Sequence, residues 1–174
     1  MPEFTVEQIV ARMNTLGRAV PLLDEVLAIL HDNLPPVLAA LGLPEIRTWD
    51  YAGVKVDAWP AVLVGTAIRV EEVGMGFKDT HALAAICAYP APQITRREFQ
   101  LALDTAQIMR GLMTMPTVMG PRYTEGGDLL WSYLLQDGLS PVPQNWPDFR
   151  GWQAEFHAEQ YPTVATGLWE IPDE

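Results

Sequence analysis

The sequence predicts an α+β fold: a mainly antiparallel sheet with N-terminal helices and one long helix packed on one face. Three observations carry this expectation. Helical periodicity runs from Val6 to Leu41 with short breaks and returns between Thr95 and Met115. Strand-type apolar runs fill the interval between those helical stretches and the region after them. Residues 152–159 alternate strictly, with Trp152, Ala154, Phe156 and Ala158 on one face and Gln153, Glu155, His157 and Glu159 on the other. A chain of 174 residues is one domain in length, and 49% apolar with 19% charged residues is a globular composition.

Each element has a local reason. Thr5 to Gln8 forms a capping box, and Val6, Ile9, Val10 and Met13 follow at helical spacing until Gly17. A second helix starts at about Val20, with Leu22, Leu23, Val26, Leu27, Ile29 and Leu30 on its core side. Pro35-Pro36 is expected to break it, leaving a short apolar helix with Leu34, Val37, Leu38 and Leu41, ended by Gly42 and Pro44. Trp59 to Gly65 and Ala67 to Val73 read as two strands separated at Gly65-Thr66, followed by the glycine break Gly74-Met75-Gly76. His81 to Tyr89 reads as a central strand with its small side (Ala82, Ala84, Ala88) against a helix, stopped by Pro90 and Pro92.

Thr95 and Glu98 make a second capping box opening a helix to about Met115. That helix carries two apolar stripes, one of Phe99, Ala102, Leu103, Ala106, Met109 and Met113, the other of Leu101, Ile108, Leu112 and Met115. A helix on a monomer surface needs one stripe, so this one is expected to lie between the sheet and either the N-terminal helices or a neighbouring subunit. Leu129 to Leu135 is a further strand, ended by Asp137-Gly138 and the proline-broken loop 141–147. The single domain thus divides into a helical N-terminal segment (residues 1–44), a core (59–135) and an acidic extension (137–174).

Charge narrows the function. There are 22 acidic and 11 basic side chains, a net of −11. This opposes a main task of gripping phosphate backbones or anionic lipid, both of which need cations. The imbalance is local: residues 123–174 hold nine acids and only Arg150, together with four of the six tryptophans. No window approaches the roughly 18 apolar residues of a membrane span, and Met1-Pro2-Glu3 does not begin a cationic signal segment.

Candidate chemistry is sparse. Cys87 is the single cysteine, set in an apolar run that suits a buried structural thiol. Glu155, His157 and Glu159 share one strand face and could bind a divalent metal or act as an acid–base array, although a solvated sheet face is the ordinary reading. His31 reads as a surface residue and His81 as an edge residue. Gly74 to Asp79 lacks the third glycine of a phosphate loop and reads as a mobile hairpin loop. Arg96-Arg97, the only adjacent basic pair, suits a partner carboxylate at a helix start. No catalytic, cofactor or metal site is assigned.

The layout has a family likeness. The segment Leu22-Leu23-Asp24-Glu25-Val26-Leu27, the run Leu34-Pro35-Pro36-Val37-Leu38-Ala39-Ala40-Leu41 and the strand Trp59-Pro60-Ala61-Val62-Leu63-Val64 precede one strand, a helix of about twenty residues and two late strands. Over residues 20–162 this order resembles the tail terminator (tail completion) proteins of long-tailed bacteriophages and related neck proteins. The resemblance implies a non-enzymatic virion protein of the neck, made in the host cytoplasm, that forms a hexameric ring. Such a ring caps the tail tube protein, stops its polymerisation and meets the head-completion (connector) protein, while DNA passes through without specific binding. Two features suit it: the second stripe (Leu101, Ile108, Leu112, Met115) as a subunit contact, and the Gly74–Thr80 loop (Gly74, Met75, Gly76, Phe77) as a contact with a neighbour or with the tube. Segment 137–172 exceeds the common family size and is expected to be an added arm. Another neck component, a small enzyme or binding module using the His157 face, and an interaction protein of no viral origin are the competing readings.

Overall fold

A computed structural model describes residues 3–15, 19–73 and 76–160. Helices α1 (Val6–Thr15) and α2 (Ala19–Ala40) precede strands β1 (Thr48–Tyr51), β2 (Ala61–Val73) and β3 (Gly76–Pro90). Helices α3 (Arg96–Met113) and α4 (Pro116–Met119) lead to β4 (Arg122–Tyr123), β5 (Leu129–Trp131), β6 (Tyr133–Pro141) and β7 (Phe149–Gln160). The main sheet has the order β1-β2-β3-β7-β6, and β4 pairs with β5 apart from it. Only β1 and β2 run parallel; every other pair is antiparallel. The fold is therefore α+β with a mainly antiparallel sheet.

Helices α2 and α3 cover one face of the sheet. Leu22, Leu30, Leu34 and Leu38 from α2 and Ala102, Ala106, Met109 and Met113 from α3 are buried there against Val62, Val64, Leu83, Ala85, Cys87 and Phe156. Burying such side chains contributes about 1.5–3 kcal/mol each before entropy is counted, so this layer dominates the stability. The α3 start forms as its sequence predicts: the Glu98 amide donates to Thr95 Oγ1 at 3.1 Å and the Thr95 amide to Glu98 Oε2 at 3.3 Å. Trp131, fully buried, donates its indole N–H to the Val118 carbonyl at 3.0 Å, joining β5 to α4.

On the other face a smaller core joins Ala61, Leu63, Ile86 and Ala88 to Val142 and Phe149, with Val56, Trp59 and Trp146 packed around it. It covers one end of the sheet. Beyond it on that face Ala67 and Ala82 are exposed, and Glu155, His157 and Glu159 are half-buried. Across the strands Ala67 faces Ala82, Ala82 faces His157, and His157 faces Leu135.

Several expectations are corrected. Helix α2 continues through Pro35 and Pro36. The missing amides would have bonded the carbonyls of His31 and Asp32, which sit on the exposed side where water can satisfy them. It then ends as expected, with Gly42 at φ 67° and the Leu43 amide bonded to the Leu38 carbonyl at 2.9 Å. The two strands expected on either side of Gly65-Thr66 are one, β2. Gly65 makes no turn but lies beside the segment after β1, where a Cβ would stand 3.2 Å from that of Ala52.

The small side of β3 (Ala82, Ala84, Ala88) faces away from the helices, because Leu83, Ala85, Cys87 and Tyr89 fill the helix-facing core. Strand β6 begins after a break at Ser132 and passes through Asp137-Gly138 with a bulge opposite Phe156 and Glu155, Gly138 taking φ 157°. Most consequentially, β7 lies inside the sheet between β3 and β6. Residues 149–160 of the acidic region are a structural strand of the body, where an added arm was expected.

Candidate interaction surface

The second stripe of α3 divides. Leu101, Ile108 and Leu112 are half-buried and pack on the main core, whereas Met115, just past the helix, is 53% exposed. Helices α2 and α3 lie side by side on the sheet and contact each other, so α3 packs on the sheet and beside an N-terminal helix. Phe99, on the other stripe, is exposed and meets Trp152 edge-on, ring centroids 5.4 Å apart.

The expected loop Gly74–Thr80 is largely strand. Gly76 pairs with Val73, Phe77 with Glu72 and Thr80 with Arg69, so β2 and β3 form one long hairpin. Long antiparallel pairing satisfies the backbone groups that a free loop would leave to water. Gly74 and Met75 lie outside the described residues.

A further group of exposed apolar side chains lies at the start of α1. Its capping box forms, with the Gln8 amide on Thr5 Oγ1 at 3.2 Å and the Thr5 amide on Gln8 Oε1 at 2.8 Å. Yet Phe4, Val6, Ile9 and Val10 are between 51% and 72% exposed. The helical spacing of these residues is readable in the sequence; what it cannot tell is that the stripe meets solvent and not the body.

A groove runs over the far end of α2. One cleft of about 400 Å³ is lined by Leu41, Leu43, Asp104, Gln107 and Ile108. A second of about 410 Å³ is lined by His31, Pro35, Leu38, Ala39, Leu43, Glu45, Ile46 and Trp49. The two meet at Leu43. Leu41 at the rim is 61% exposed, and His31 stands edge-on to Trp49 at 5.1 Å. Asp104 and Glu45 put a carboxylate beside each cleft.

The polar groups are mostly occupied by structure. On the sheet face turned away from α2 and α3, His157 Nδ1 lies 2.7 Å from Asp137 Oδ1, and Gln153 Nε2 donates to Glu155 Oε1 at 2.9 Å and to Ser140 Oγ at 3.1 Å. Among the described residues no three His, Cys, Asp or Glu side chains are grouped to hold a metal ion. His81 is fully buried in β3 and is no edge residue; its Nε2 is 2.9 Å from Gln160 Oε1, and Gln160 Nε2 in turn donates to the Leu130 carbonyl. Burial pushes the Cys87 thiol up to about 12, against the opposing hydrogen bond with Thr105. A thiol held protonated is a packing group, as its apolar run suggests. Along α2, Asp24 accepts from the Tyr51 hydroxyl, and Arg122 Nε meets Glu25 Oε1 at 2.5 Å.

No protein-family model and no curated protein matches the chain. Among the described residues no helix is long and apolar enough to cross a membrane. What the fold and surface define is an α+β body with an exposed apolar helix at one end and an apolar groove on its helical layer.

Proposed function

We propose that the chain is a structural subunit of a phage neck, a tail terminator that assembles as a ring on the end of the tail tube and meets the connector. The observation that carries this reading is the exposed apolar surface of α1 and the α2–α3 groove on so small a body. Contiguous apolar exposure of this kind marks contact with other proteins. The order of helices, long hairpin, long helix and late strands agrees with the family likeness of residues 20–162. The net charge of −11 adds a second support: an acidic ring would repel phosphate and let DNA slide through its lumen.

Two measurements test this. Light scattering on the full chain is expected to show a ring-sized species. Added to purified phage tail tubes, the protein is expected to cap one end and stop their growth in electron micrographs. A strict monomer at high concentration that leaves tubes growing overturns the reading.

A further inference from the structure

We infer that the corner formed by Arg96, Arg97, Phe99 and Trp152 is the seat of the acidic segment 161–174 of the same chain. The contact goes beyond the ring reading and does not depend on it.

This corner holds donors without acceptors. Arg96 and Arg97 are exposed in the first turn of α3. Among the described residues no carboxylate pairs with either, whereas Arg122 meets Glu25, Arg110 meets Gln136, and Arg150 meets the carbonyls of Trp146 and Phe149. Glu98, the nearest carboxylate in sequence, is held in the capping box of α3. The indole N–H of Trp152 is buried and has no acceptor. One turn past Arg96, Phe99 is 41% exposed and meets Trp152 edge-on. Burial raises the Tyr89 hydroxyl, and the nearby Arg97 charge opposes that rise. A ligand for such a corner brings carboxylates and apolar side chains together, because guanidinium groups take carboxylates bidentately and stack on aromatic rings.

Segment 161–174 has that chemistry. It carries Glu170, Asp173 and Glu174, no basic residue, and Leu168, Trp169 and Ile171. Those three acids leave −8 of the net −11 on residues 1–160. The body as a whole therefore repels the segment, and the adjacent pair Arg96-Arg97 attracts it.

Reach and tethering favour the chain's own segment over a neighbour's. Trp152 lies about 27 Å back along β7 from Gln160, at ~3.4 Å per residue. An extended chain carries Glu170 up to about 36 Å from Gln160 and Glu174 up to about 50 Å. A tether of this length offers the acids to the corner at an effective concentration of about 1 mM, far above that of a second copy in dilute solution.

A cross-link within one full-length chain tests the contact. The chain carries Gln100→Cys, at an exposed position one turn past Arg96, and Pro172→Cys, so every charge is kept and Cys87 stays buried. Dilute protein is oxidised and mapped by mass spectrometry. An intramolecular 100–172 disulfide at least tenfold above the same chain in urea is expected, weakened by high salt. Gln93→Cys, exposed just before α3, replaces Gln100→Cys should the circular dichroism spectrum change. Adding Arg96→Glu and Arg97→Glu is expected to cut the cross-link at least tenfold. Adding Glu170→Arg, Asp173→Arg and Glu174→Arg to that chain is expected to restore it. A cross-link no higher than in urea, one formed only between separate single-cysteine chains in a mixture, or one indifferent to charge reversal overturns the contact. None of these results bears on tube capping, so the ring reading stands or falls separately.

Discussion

Gly151 of β7 lies against the backbone of Cys87 in β3 so closely that a Cβ would fall 1.9 Å from the Cys87 carbonyl oxygen. Its φ of 155° is also one that side chains rarely adopt. The oxygen belongs to an interior strand and cannot swing away. Gly151→Ala is expected to cost at least about 3 kcal/mol, read as a lowered urea midpoint at unchanged slope. Gly111 makes the contrast: nothing stands within 4 Å of its would-be Cβ, on an exposed turn of α3. Gly111→Ala is expected to stabilise by about 0.5–1 kcal/mol.

The divided stripe of α3 predicts a divided response. Ile108 and Leu112 are packed on the core, so replacing both by Asp is expected to destabilise the fold by about 3–6 kcal/mol from lost burial and buried charge. Met115, more than half exposed, is expected to accept Asp with less than about 0.5 kcal/mol of change. Urea titration of the two variants beside the unaltered protein distinguishes them.

Two tyrosines set an alkaline limit. The hydrogen bond to Asp24 pushes Tyr51 up to about 12, and burial does the same to Tyr89. A tyrosine raised in the folded state favours folding while it is protonated. That contribution is complete below the ordinary value of about 10 and is lost as pH climbs towards 12. Stability is therefore expected to fall across that interval. Tyr51→Phe is expected to make the fall shallower in urea titrations at stepped pH.

Cys87 supplies a reporter of unfolding. With its thiol held up to about 12 by burial, it is expected to ignore a thiol-reactive dye at pH 8 in the native protein. One equivalent should react once urea opens the core. Prompt reaction in native buffer would show that the α3–sheet layer opens readily.

Where one local rule decided the outcome, the sequence was a sound guide. The Thr95–Glu98 capping box starts α3 at the expected residue, and the alternation from Trp152 to Glu159 sits on the expected faces of β7. It misled where long-range pairing outweighed local signals. Gly65-Thr66 looks like a turn, but thirteen residue pairs with β3 hold β2 straight through it. Asp137-Gly138 looks like a strand end, but pairing with β7 resumes after the bulge. Strand β1 shows no alternation because all four of its residues are half-buried. Of the candidate surface, the two stripes of α3 were visible at once. That most of one is packed on the core, and that the described apolar residues at the start of α1 stay uncovered, depends on tertiary packing that periodicity does not encode.

The two outermost strands of the sheet limit how this protein can grow. Strand β1 offers four residues, and the Asp50 carboxylate occupies the Tyr51 amide at 2.8 Å. Strand β6 is bent by its bulge and ends at the exposed Pro141. Both are poor templates for another strand, so the sheet resists adding copies edge to edge into fibrils. A contact between copies through helix surfaces, by contrast, would have its copy number set by the angle of one contact and could close.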